Sequence, residues 1–154
     1  MGDDQMKTRV RLRRLTEKNA TKEYANWFKD KELRRWITHA TPTVEACRDY
    51  IRKALADPNV LLWGIFVDRR HIGNIKAEFR IDQAVLGLLV GDPKMRGCGI
   101  GTAAIRQAAR WCYRHWKVGR VTAGVHPFNI RSVRVFEKCG FRPLLVRLWL
   151  EKKR

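Results

Sequence analysis

The chain has 154 residues, 45% of them hydrophobic and 10% aromatic, enough for one packed domain and too apolar for an intrinsically disordered segment. Its 33 Lys and Arg against 15 Asp and Glu leave a formal net charge of +18, a positive field that favours anionic partners (nucleotides, nucleic acid, acidic sugars, a membrane surface) without choosing among them. The four cysteines, Cys47, Cys98, Cys112 and Cys139, form no Cys-x-x-Cys pair and no histidines stand at ligand spacing, which argues against a disulfide framework and against a structural zinc site.

The opening Met-Gly-Asp-Asp-Gln-Met has no signal-peptide pattern, and no stretch approaches the roughly 18 apolar residues of a membrane span. A cytoplasmic location with no membrane partner is expected, with a single domain over 1–154 whose residues 1–7 are flexible. From Thr8 to Leu15, Val10 and Leu12 alternate with arginines, which predicts a strand. Tyr24, Trp27, Phe28, Leu33, Trp36 and Ile37 then recur three and four apart, predicting two short helices broken near Asp30 with most of their aromatics in the core. Thr43 can cap a second helical stretch whose apolar face runs from Val44 through Cys47 and Ile51 to Leu55, until Asp57-Pro58-Asn59 ends it. Val60–Val67, Ile72–Phe79 and Gln83–Val90 read as three strands joined by polar turns at Asp68–His71 and Ile81-Asp82, an antiparallel meander. Ile100 to Trp116 is a helical pattern with a basic stripe at Arg106, Arg110 and Arg114. A fifth strand over Arg120–Val125, a helix over Arg131–Lys138 closed by Gly140, and a last strand over Leu144–Leu150 complete the order.

The stretch Leu86–Thr102 carries the functional signal. A strand stops at Val90, three glycines crowd at Gly97, Gly99 and Gly101, and a helix begins at once, the combination that offers backbone N–H groups to a phosphate. Gly99-Ile-Gly101-Thr-Ala-Ala104 fits the dinucleotide pattern G-x-G-x-x-A, but no Asp or Glu follows between Pro93 and Phe136 to bind a ribose. The P-loop pattern is absent. What remains is a pyrophosphate held by amides from Gly97 to Gly101 beside Arg96, or a tight turn that needs glycine only for its dihedrals.

Arg96-Gly-Cys98-Gly99-Ile100-Gly101 resembles the R-x-x-G-x-G pyrophosphate motif of the GNAT superfamily of N-acetyltransferases, and Asn129-Ile-Arg-Ser132 through Glu137-Lys138-Cys-Gly140-Phe141 resembles its N-x-x-S…E-K-x-G-F segment. Trp27, Asp30 and Leu33, with His71–Lys76, look like the branch that holds ribosomal-protein and nucleotide-sugar acetyltransferases. The resemblance implies acetyl-coenzyme A as cosubstrate, no metal, and an α+β fold. That fold has a mixed, mainly antiparallel sheet of six to seven strands, splayed between strands 4 and 5 and flanked by about four helices. It places Leu88, Leu89 and Val90 beside the thioester, where the Val90 N–H can polarise the acetyl carbonyl. The coenzyme contacts fall on Arg96, Gly97, Cys98, Gly99, Ile100, Gly101 and Thr102, and on Asn129, Ser132 and Phe136.

Phe136 stands where many relatives carry the Tyr that protonates the departing thiolate, which makes Ser132 the candidate acid. Asn129 matches a residue that contacts the pantetheine arm, or it caps the helix that follows. Glu78 leads as general base, as against a solvated edge carboxylate, with His39 and His126 behind it. Cys98 and Cys139 read as small fillers, since neither has a neighbouring activator. The acceptor amine is expected on an anionic molecule, foremost a nucleotide-linked amino sugar. A nucleic-acid-borne amine, a protein N-terminus, or a coenzyme-binding module without activity are the alternatives. The protein is expected to be a monomer or a homodimer.

Overall fold

The computed structural model describes residues 9–37 and 40–144. The N-terminal residues expected to be flexible, His39, and the predicted last strand beyond Leu144 lie outside the described residues. The elements are β1 (Val10–Arg14), α1 (Lys22–Trp27), α2 (Lys31–Arg34), α3 (Val44–Ala56), β2 (Val60–Val67), β3 (Arg70–Arg80), β4 (Gln83–Val90), α4 (Ile100–Trp111), β5 (Arg120–Ala123) and α5 (Ile130–Lys138). The first three helices start on side-chain caps, of which the sequence pattern pointed to Thr43. Thr21 Oγ1 accepts from the Tyr24 amide at 3.2 Å, an Asp30 carboxylate oxygen from the Glu32 amide at 3.0 Å, and Thr43 Oγ1 from the Ala46 amide at 3.1 Å.

The strands lie in the order β1-β2-β3-β4-β5, antiparallel through β4, with β5 parallel to β4 after the α4 crossover. Alternation along the strands splits the core. Trp63, Ile65, Ile75, Ala77 and Leu86 face α4, packing with Ile100, Ala104, Ile105 and Ala108. Leu62, Phe66 and Leu89 face the other side, under Tyr24, Trp27, Phe28, Cys47 and Ile51 of α1 and α3. The second face buries Tyr24, Trp27 and Phe28 of the aromatics that the sequence pattern assigned to the core, while Trp36 is half-buried.

Four expectations change. The sheet has five strands among the described residues, where six to seven were expected. The β2–β3 turn is two residues, Asp68 and Arg69, both with positive φ, so β3 starts at Arg70 rather than Ile72. Such turns normally advertise themselves through Asn-Gly or Asp-Gly, and this one has no glycine to signal it. The helix predicted to Trp116 is α-helical only to Trp111 and widens to a π-type turn over Cys112–Trp116, where Trp111 and Trp116 meet edge to face at 5.5 Å. β5 pairs with β4 only over Gln83–Leu86, opposite Arg120–Ala123, and stops two residues before the predicted Val125. The Gly119 amide, bound to both the Asp82 carbonyl and the Asp82 carboxylate at 3.0 Å, pins where β5 begins.

Candidate active site

Past Leu86 the β5 flank of β4 is unpaired, and the direction of its amides follows from the register. Gly91 N–H donates to the Ile72 carbonyl at 2.9 Å, toward β3. Strand amides alternate sides, so Val90 and Leu88 turn theirs the other way, into the space that β5 has left.

The glycine turn follows directly. Gly97 and Gly99 adopt left-handed backbone at φ +75° and +78°, conformations that side-chain-bearing residues adopt at a cost of about 1–2 kcal/mol. Gly101 serves a different need, since a Cβ there would stand 3.1 Å from Leu88 and 3.2 Å from Val135, and the bare backbone lets the start of α4 settle between β4 and α5. No amide from Gly97 to Thr102 donates to an acceptor among the described residues, so the turn and first turn of α4 present a row of unpaired N–H groups. Cys98 turns its thiol toward the Lys94 and Arg96 carbonyls, and Cys139 points its own at the Thr102 carbonyl, 3.6 Å away. Burial raises the Cys139 thiol, with Arg106 opposing it in part, which makes it a poor nucleophile.

Arg96 does not reach outward. Its guanidinium, 15% exposed, is clamped by the Asp30 carboxylate at 2.9 Å and by the Val90 carbonyl at 3.1 Å. Burial alone would raise the Asp30 carboxyl, but the bond from Arg96 and the Glu32 amide outweigh it and hold Asp30 below its ordinary value. One pair thus ties the start of α2 to the end of β4. Beside it, Trp27 lies flat on Gly91, where a Cβ would be 1.9 Å from the indole.

A cleft of about 1420 Å³ runs from this turn along β4 to the aromatic helices. Leu88, Leu89, Val90, Arg96, Gly97, Gly99, Ile100, Gly101, Thr102, Asn129, Ser132 and Phe136 all line it, so the structure brings together every sequence-predicted coenzyme residue except Cys98. Asn129 caps α5, its side-chain oxygen accepting from the Ser132 amide at 3.3 Å. The same side chain keeps its NH₂ free for a ligand. Ser132 and Phe136 fall one turn apart on the cleft face of α5.

Glu78 is not brought to the cleft. It lies on β3 opposite Val85, ion-paired to Arg80 at 3.0 Å. His126 does line it, against Trp36 at 5.3 Å between ring centroids, but its Nδ1 accepts from the Phe128 amide at 3.2 Å. In the neutral ring that leaves Nε2 protonated, a donor rather than a base.

The sequence reading missed the floor of the other half of the cleft. His71 Nε2 and Asn74 Oδ1 are 2.7 Å apart, and Asn74 Nδ2 donates to the Tyr24 hydroxyl at 2.8 Å. The ring of His71 sits among Tyr24, Trp27 and Phe66, and burial lowers its pKa despite the bond to Asn74. Neutral His71 therefore donates to Asn74, which donates to Tyr24, leaving the Tyr24 proton as the end of a directed chain. Lys76 and Lys53 line the same half and pair with no acid among the described residues, whereas Glu32 and Asp49 are matched by Arg35 at 3.8 Å and Arg52 at 2.8 Å. The available signal was the period of β3, which puts Asn74, Lys76 and Glu78 on one face, against aromatic helices.

The sequence profile of the acetyltransferase (GNAT) domain matches residues 9–142. The chain belongs to this family and is a GNAT-type acetyltransferase. Over 84 residues it is 37% identical to the probable N-acetyltransferase YjcK of Bacillus subtilis, a match covering 51% of this chain and 46% of that protein. It is 24% identical to an aminoglycoside N(6')-acetyltransferase type 1 of Klebsiella pneumoniae, over 86% of this chain and 73% of that one. Among solved structures, aminoglycoside acetyltransferase AAC(6')-Ib in complex with coenzyme A superposes with a TM-score of 0.75 at 22% identity, covering 86% and 84% of the two chains. Ribosomal-protein-S5-alanine acetyltransferase from Vibrio fischeri gives 0.73 at 20% identity, covering 87% and 80%. These relatives span two acceptor classes, so family membership leaves the acceptor open. Among the described residues no helix is long and apolar enough to cross a membrane, and no three His, Cys, Asp or Glu are grouped to hold a metal.

Proposed function

We propose that this acetyltransferase takes its acetyl group from acetyl-coenzyme A and transfers it directly to a primary amine on an anionic acceptor. The observation that carries the reading is one continuous cleft joining an amide-lined glycine turn to the open flank of β4. The residues fit the donor. Amides from Gly97 to Thr102 take the pyrophosphate, Arg131, Arg134 and Lys138 add charge at that end, and the Asn129 NH₂ meets the pantetheine arm. In this reading the arm enters where β4–β5 pairing lapses beyond Leu86.

The thioester supplies an activated acyl group. The Val90 N–H, already directed into the gap, polarises the carbonyl without reorganising. The Ser132 hydroxyl takes the place of the family Tyr that Phe136 replaces, relaying a proton from solvent to the leaving sulfur and regaining its own from solvent as it does so. Glu32, Asp49 and His126 are committed to other partners, so the amine sheds its proton to solvent and the rate follows the amine's own ionisation.

Lys76 and Lys53 support the anionic acceptor, and a nucleotide-linked amino sugar fits their charge. A polycationic aminoglycoside would meet repulsion at the same place. The test is mass spectrometry of amines incubated with protein and acetyl-coenzyme A: an amino-sugar nucleotide, kanamycin, an N-terminal peptide and an aminoacylated RNA. An added acetyl group on the nucleotide sugar, with KM raised about tenfold in Lys76→Glu at similar kcat, is expected. Acetylation of kanamycin alone overturns the acceptor class. Tight coenzyme binding with no product on any amine would mean a binding module.

A further inference from the structure

Charge is distributed unevenly along the fold. Among the described residues every ion pair joins residues between Arg9 and Arg96. From Gly97 to Leu144 there are nine Lys or Arg against a single acid, Glu137. The donor end of the cleft accounts for Arg106, Arg131, Arg134 and Lys138, but Arg110 and Arg114 lie outside it. They line a second groove, of about 590 Å³, on the outer side of α4 with Arg106, Tyr113 and Phe141 over a floor that includes Ala109.

Arg110 and Arg114 are exposed and make no ion pair or hydrogen bond among the described residues, and no acidic side chain lines the groove. Solvated helix faces ordinarily intersperse both signs. Here three guanidinium groups follow one another on one face, about 6 Å apart per four-residue step in the α-helical part. Tyr113, 50% exposed, offers a ring in the same groove. Arg106 donates to the Lys138 carbonyl at 3.3 Å but pairs with no acid among the described residues. A row of guanidinium groups without acidic partners beside an exposed aromatic is what tracks a phosphate backbone and stacks an unpaired base.

We propose that this outer groove binds a single-stranded segment of nucleic acid, with phosphates along Arg106, Arg110 and Arg114 and a base on Tyr113. The aromatic favours a single strand over a duplex, whose bases are stacked on each other. The assignment stands apart from the donor cleft, which the two grooves share only through Arg106.

Fluorescence anisotropy with labelled oligouridine and oligothymidine tests it on the full chain. Three phosphate contacts predict a slope of log affinity on log salt near −2, at about 0.7 per contact for single strands. Arg110→Glu with Arg114→Glu should weaken binding at least tenfold and bring the slope below −1 in magnitude, while acetyl-coenzyme A affinity is unchanged. Tyr113→Ala should weaken it about fivefold or more. Comparing the two oligomers shows whether RNA or DNA is preferred. Salt-insensitive or absent binding by the wild type overturns the proposal. So does an indifferent double variant, or one that loses acetyl-coenzyme A instead. Equal binding of polyglutamate together with an inert Tyr113→Ala would reduce the groove to a general polyanion surface and also overturn it.

Discussion

Asp30→Asn isolates one charge at the junction on which the cleft depends. Asparagine is as good a helix N-cap as aspartate, so the bond from the Glu32 amide survives and only the negative charge facing Arg96 is lost. Hydrogen bonds to charged groups contribute about 1.5–3 kcal/mol, and breaking a fully buried pair costs about 3–5. With the two side chains 15% and 24% exposed, the pair lies toward the lower range, and a loss of about 2 kcal/mol is expected. For a chain of this size that lowers Tm by about 4–8 °C.

The pH dependence is the sharper signature. The Asp30 carboxyl titrates below its ordinary 3.8 in the folded protein. Its stabilisation is therefore complete above that value and disappears as pH falls through the folded pKa. Urea unfolding of both proteins from pH 7 down to pH 3 should show the difference in stability holding near neutrality and shrinking below pH 4. A difference that is negligible at pH 7, or constant across the range, would refute the account of this pair.

Gly99→Asp places a carboxylate and a left-handed Cβ-bearing residue at the start of α4, so calorimetric binding of acetyl-coenzyme A should vanish while the strain costs only about 1–2 kcal/mol of stability. Unchanged coenzyme affinity would sink the role given to the glycine turn. Ser132→Ala should lower kcat about tenfold to a hundredfold with little change in donor KM, and a full-rate variant would show that the thiolate leaves without that hydroxyl. Tyr24→Phe strands the Asn74 amide in a buried site and should cost about 1–3 kcal/mol in urea unfolding, whereas a neutral substitution would mean the network is not closed.

The half of the cleft around the glycine turn was legible because its residues fall in two local blocks, Leu88–Thr102 and Asn129–Phe136. A strand, a glycine turn and a helix start are local features, and each leaves its mark within a few residues of Val90, Gly99 or Asn129. The half beside the aromatic helices was not, because Tyr24 and Asn74, which line it, and His71 behind them are joined by bonds spanning up to 50 positions, and no local rule relates them. Glu78 shows the same limit from the other side. Strand periodicity put it on the correct face with Lys76, but only the register of β3 against β4 shows Ile75 opposite Leu88 and Glu78 opposite Val85, farther from Val90. Arg96 was expected to meet phosphate, yet its direction was set by Asp30, a partner 66 positions earlier.

Local pattern by itself determined the element types, the meander and the glycine turn, since helix and strand periods, caps and turn residues act over short range, while the motifs at Arg96–Gly101 and Asn129–Phe141 carried the resemblance to the family. The tertiary structure decided where β5 lets go of β4, which cations remain unpaired, and which polar groups lock into a directed chain. Those outcomes depend on distances between segments remote in sequence, and for this protein they decide what the open side of β4 can receive.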